Sequence, residues 1–209
     1  MNAIATHSRY KLGEKKVEKK TPQPKLLTYH DYVKLTPLES GNFELLNGRI
    51  FFIASPKPSH QDISSLLHTF LGFYIIGNKL GKLFAAPMDV LFTLHDTFQP
   101  DLLFISKERL NIIGESKIEG SPDLVVEILS PSNDTNDAKR RPMSYKKQKH
   151  IYETTGVKEY WLINVEKQTQ TRYKQIDNEL RWQKDIQKNE VLKSEIIQGF
   201  ELKLSNIFE

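Results

Sequence analysis

The chain has 209 residues, 38% hydrophobic and 27% charged, with a formal net charge of +4 and no cysteine. That length suits one domain with a single sizeable core. The composition excludes disulfides, thiolate metal sites and a thiol nucleophile, and no apolar run reaches the ~18 residues of a membrane helix, so a cytoplasmic setting away from the membrane is the default expectation.

Charge is uneven along the chain. Residues 1–26 hold seven basic and two acidic side chains, which leaves 23 basic and 24 acidic for the remainder. Residues 1–25 therefore read as a basic disordered N-terminal arm with no apolar signal segment, attracted to polyphosphate if it has a partner. The folded domain is expected over residues 26–209. "LTYHDYVKLTP" reads as a short helix capped by Thr28 and stopped by Pro37. "FELLNGRIFFI" reads as two strands around Asn47-Gly48, a type I′ hairpin signal.

In the stretch that follows, Ile63, Leu66, Leu67, Phe70, Leu71 and Tyr74 recur at helical spacing, with Ser59 as the expected N-cap. "KLFAAPMDVLFTL" and "TFQPDLLFIS" read as two strands joined by a polar turn at His95-Asp96. "SPDLVVEILS" is apolar on both faces, the pattern of a strand buried between two layers. A polar, basic helix ending before Gly156 and the strand "KEYWLINVEK" come next. Weaker alternating strands close the chain. The order predicts a mixed α/β fold with a central sheet and an extra C-terminal antiparallel strand region.

Glu127 lies inside the apolar strand, and an unpaired buried carboxylate costs several kcal/mol, so it needs a partner. Asp101 opens another apolar strand after the same Pro-Asp-Leu text. If the two strands are neighbours, their carboxylates converge, and a divalent cation with oxygen ligands, Mg²⁺ or Mn²⁺, relieves the repulsion. The competing reading pairs Glu127 with Arg or Lys. Asp123 is expected to bond backbone amides at a strand start.

The pieces "FELLNGRI", "SPKPSHQ", "APMDVLF", "QPDLLFI", "SPDLVVEILSPS" and "YETTGVKEYWLIN" occur in one order over about residues 26–165. In this the chain resembles the Uma2 family of the PD-(D/E)XK nuclease superfamily. The resemblance implies a restriction-endonuclease-like fold, a central mixed sheet flanked by helices, and metal-dependent phosphodiester cleavage, with Asp101 and Glu127 as the motif acids. It also singles out Glu44 as a second metal or water ligand and His60 as a phosphate contact or acid/base.

The superfamily lysine, two residues after the Glu, is Leu129 here. Uma2 members supply it from the following helix, four residues before a Tyr; with Tyr152 as that Tyr, the position is Gln148, flanked by Lys147 and Lys149. Lys149 is the expected substitute, with Lys147 or Gln148 itself as the alternatives. Residues 133–150 carry six basic side chains, Lys139 to Lys149, against Asp134 and Asp137, a patch suited to DNA phosphates. The expectation is an Mg²⁺-dependent endonuclease acting on DNA, working as a homodimer by analogy with restriction enzymes. The alternative is a catalytically inactive nucleic-acid-binding domain that keeps the fold.

Overall fold

The computed structural model of the chain describes residues 25–36, 42–129 and 145–208. Residues 1–24 of the basic arm expected over residues 1–25, and Lys139, Arg140 and Arg141, lie outside them. Helix α1 (Tyr29–Leu35) begins at a capping box, Thr28 and Asp31 bonding each other's backbone N–H. Strands β1 (Asn42–Leu46) and β2 (Arg49–Ile53) form the expected hairpin. Asn47 and Gly48 both take positive φ, 48° and 66°. A Cβ at position 48 would stand 2.6 Å from that of Leu26, so glycine is required twice over.

Helix α2 (Pro58–Gly77) starts one residue before the expected cap. Lys57 is the N-cap and Pro58 fills the first turn, where its missing N–H costs nothing; Ser59 is already helical. Ile63, Leu67, Leu71 and Ile75 form its buried stripe, with Leu66, Phe70 and Tyr74 at the margin.

The next two stretches differ from expectation. Each was expected to be one strand, and each is two: β3 (Gly81–Ala85) with β4 (Val90–Thr93), and β5 (Asp96–Phe98) with β6 (Leu102–Ser106). The breaks fall at Pro87 and Pro100, which have no N–H for a ladder. The halves enter different sheets. One has the order β2-β1-β5-β4-β7, where β7 is Ile118–Glu119. The other has the order β11-β10-β9-β8-β6-β3, built with β8 (Leu124–Leu129), β9 (Glu159–Asn164), β10 (Thr169–Ile176) and β11 (Glu179–Gln187). This central sheet is mixed: β8 and β9 are parallel, and the other pairs antiparallel. Helix α3 (Tyr145–Thr155) precedes β9 and ends, as expected, before Gly156, whose φ is +93°. In place of the last expected strand, a short pair, β12 (Val191–Lys193) and β13 (Glu201–Lys203), closes the chain.

The two faces of β8 serve two cores. Val126 and Ile128 join the cluster built on α2 and the C-terminal segment; Val125 joins the cluster of α3, Tyr160 and the second sheet. Each such side chain contributes about 1.5–3 kcal/mol on burial. The strand is thus clamped between layers, as its two-faced apolar pattern requires.

Candidate active site

Strands β6 and β8 run antiparallel, with Leu102 opposite Val126 and Leu103 opposite Val125. Asp101 immediately precedes Leu102 and Glu127 immediately follows Val126, so the two acids flank that pair at one end of the register. The paired Pro-Asp-Leu strands are therefore neighbours, and their two acids share one end of the central sheet.

Asp101 is fixed by two bonds to a single oxygen. The backbone N–H of Ile128 donates to Oδ2 at 2.7 Å, and His60 Nε2 lies 3.1 Å from the same atom. With the carboxylate as acceptor, Nε2 carries the proton. His60 sits in the first turn of α2, so the helix that covers one face of the sheet also orients the acid at its end.

Glu127 is 7% exposed, and Tyr152 donates its hydroxyl to Oε1 at 2.5 Å. Tyr152, on α3, is fully buried among Phe92, Phe98 and Tyr160. Burial pushes its phenol well above the ordinary value, and the charge and hydrogen bond of Glu127 push it further, with Tyr160 and Glu44 adding to the effect. The phenol therefore stays a donor at any physiological pH. A buried carboxylate in a strand is served here by a hydroxyl donor on the helix above.

Glu44 enters from β1, 6% exposed, and Oε1 accepts the N–H of Gln99 at 2.9 Å. Gln99 is two residues before Asp101, so one short connection touches both acids. Its side-chain amide donates to Asp89 at 2.8 Å, and Tyr29 and Tyr32 also reach Asp89. Burial, followed by the Asp89 charge, pushes Tyr29 up to about 12. Asp89, a weaker acid candidate in the sequence, thus braces Gln99. Among the described residues, no group of three or more acidic or histidine side chains forms a closed metal-binding cluster.

On α3, Gln148 and Tyr152 are both buried, as their four-residue spacing predicts. Lys149 is not brought to Glu127. Its ammonium pairs with Glu153 at 3.2 Å and lies 5.0 Å from the centre of the Tyr173 ring, against β10. Glu153 in turn accepts the N–H of Leu180, tying α3 to β11. Glu153, four residues after Lys149, is the sequence signal for this pairing. Tyr152 and Gln99 are the residues that sequence reasoning did not assign to the site; Tyr152 was marked only by its spacing from Gln148.

The family described as "Putative restriction endonuclease", Uma2, matches residues 29–205. Among solved structures, the chain is similar to one described as "a putative nuclease belonging to DUF820" from Anabaena variabilis, with a TM-score of 0.67 and 18% identity over 87% of this chain and 97% of that one. At that identity the likeness shows the fold. A comparison with curated proteins finds no match. The match to Uma2 spans most of the chain, including every acid of the site, and the chain belongs to the Uma2 family.

Proposed function

We propose that the protein is an Mg²⁺- or Mn²⁺-dependent endonuclease that hydrolyses phosphodiester bonds of DNA, with Asp101 and Glu127 as the metal ligands. The observation that supports this is the antiparallel pairing of β6 with β8, which brings the head of β6, preceded by Asp101, to the end of β8 that carries Glu127. Carboxylate oxygens suit a hard divalent cation, and Mg²⁺ keeps several waters, so two protein ligands suffice. Both bonds to Asp101 fall on Oδ2, which leaves Oδ1 for the ion. When bound, the metal supplies Lewis-acid polarisation of the phosphoryl oxygen and a more acidic water.

The chain's own residues supply position. His60 and the Ile128 N–H hold Asp101, and the Tyr152 hydroxyl holds Glu127 at Oε1. Glu44, aimed by Gln99, is placed to accept a proton or bond a water beside the pair. Gln148, buried on the Tyr152 face of α3, takes the place of the family's lysine as a donor toward the scissile phosphate. Lys149 holds α3 on the sheet. Nuclease membership of the family supports a nucleic-acid substrate, and a homodimer would present two such sites to a duplex.

The rival reading is a nucleic-acid-binding domain without cleavage. It is favoured by Leu129 and Gln148, which put no cation at either lysine position. The test is cleavage of plasmid, linear duplex and single-stranded substrates with and without Mg²⁺ or Mn²⁺, by the wild type and by Glu127→Gln. Metal-dependent cleavage lost in the variant supports the enzyme. Binding without cleavage under every condition supports the rival.

A further inference from the structure

The face of the central sheet that carries Glu127 does not end there. Glu127 pairs with Leu162, Leu162 with Thr171, and Thr171 with Asp185. This row crosses β8, β9, β10 and β11 with all side chains on one face. Beside it lies a groove of about 470 Å³, walled by Leu129 and Leu162 and furnished with Asn164, Lys167, Thr171 and Asp185. That volume falls in the range of small-ligand sites.

Next to Asp185 on β11, and bonded to it, stands Trp182, 58% exposed. Its placement depends on an irregularity. Between Arg172 and Tyr173 the register shifts, so that Arg172 pairs with Lys184 but Tyr173 pairs with Trp182. Without the shift, residue 183 would stand opposite Tyr173 and Trp182 would turn to the other face. A bulge re-aims a side chain in this way. The indole N–H then donates to Asp185 Oδ1 at 3.2 Å, and Thr171 donates to the same oxygen at 2.7 Å. An exposed aromatic ring is thus tied to the polar groove beside the acid pair.

The geometry points to a subsite for one unpaired nucleotide next to the scissile phosphate: the base stacks on Trp182 and donates its exocyclic amino group to Asp185, while Lys167 faces the backbone. This deepens the nuclease reading and rests on it. Stacking on an aromatic ring tolerates any base, whereas at the pyrimidine edge that carries C5 a carboxylate accepts from the amino group of cytosine and meets only the O4 acceptor and the methyl group of thymine. The subsite therefore favours oligo-dC over oligo-dT.

The protein has two tryptophans, and Trp161 is fully buried, so quenching of indole emission reports on Trp182. The experiment titrates oligo-dC and oligo-dT into the full chain in EDTA, and measures cleavage separately with Mg²⁺. Expected are quenching on binding, oligo-dC bound more tightly by about fivefold or more, and loss of that preference in Asp185→Ala. Trp182→Ala should bind about tenfold more weakly, and Trp182→Phe should recover most of the loss. Cleavage or binding by the wild type with unchanged indole emission, or equal binding by Trp182→Ala, overturns the subsite and leaves the nuclease reading standing. Emission that moves with protein concentration rather than oligonucleotide assigns Trp182 to contact with a second copy and overturns the subsite as well. Equal binding of oligo-dC and oligo-dT overturns the role of Asp185. A wild type that neither cleaves nor binds removes the nuclease reading and the subsite together.

Discussion

Asp101 and Asp123 stand in the same three-letter text, Pro-Asp-Leu, each at the head of an apolar strand, yet the fold treats them oppositely. Asp123 is fully buried between cations: it accepts the Ser106 N–H at 2.8 Å and pairs with Arg109 and Lys158 at 3.0 and 2.6 Å. Burial works to raise its pKa, but Lys158, the Ser106 amide and Arg109 outweigh it and hold the carboxyl below the usual range. Asp101 keeps 19% of its side chain exposed and meets a histidine, a backbone amide and the end of β8 with Glu127. The cause is strand direction. Because β6 and β8 are antiparallel, their heads lie at opposite ends of the sheet: Asp123 is met by Arg109 and Lys158, whereas Asp101 is met by His60 and the Ile128 amide at the end of β8 that carries Glu127. The same tripeptide therefore makes a structural brace at one end and a candidate metal ligand at the other.

The comparison breaks most visibly under isosteric substitution. Asp101→Asn should reduce cleavage about 100-fold or more while leaving the thermal midpoint within a few degrees, because it removes a ligand charge and not a core contact. Asp123→Asn should do the reverse. It should cost about 2 kcal/mol of stability, read by urea unfolding, with normal cleavage by the folded fraction. Its sign with pH follows from the lowered value. The contribution of Asp123 is complete above the ordinary value of 3.8 and fades as pH falls through its lower folded value. The variant should therefore lose the most stability relative to wild type near neutrality and least in acid.

The helix sharpens the comparison at smaller scale. Gln148→Ala should slow cleavage about tenfold or more if the buried amide donates toward the phosphate. Lys149→Ala should remove an i,i+4 pair worth about 0.3–0.5 kcal/mol and a modest ring contact, with little effect on rate. The reverse ranking would return the catalytic role to Lys149.

Much of this was legible in local pattern. The Asn47-Gly48 hairpin, the stripe Ile63–Leu67–Leu71 and the two-faced strand 124–129 follow from turn chemistry and periodicity. The division into two sheets did not, because apolar alternation runs on through "KLFAAPMDVLF" and "TFQPDLLFI" while the prolines silently end each ladder. Which sheet a half-strand joins is decided by distant partners. The site divides in the same way. Asp101 and Glu127 stood out because a carboxylate in an apolar run demands an account. Tyr152, the donor to Glu127, stood out only by its spacing from Gln148, because in the fold it is a core aromatic in every respect but its hydroxyl. The role expected of Lys149 overlooked Glu153 one turn on.

The central claim is that Asp101 and Glu127 hold one divalent ion between them. Titration of Mn²⁺ into the apoprotein, followed by the loss of the free-ion paramagnetic resonance signal, tests it without reference to activity. The expected result is one tight site per chain in the wild type, lost in both Asp101→Asn and Glu127→Gln and retained in Asp123→Asn. Mn²⁺ binding that survives in either of the first two variants, or that is lost in the third with the fold intact, would contradict it.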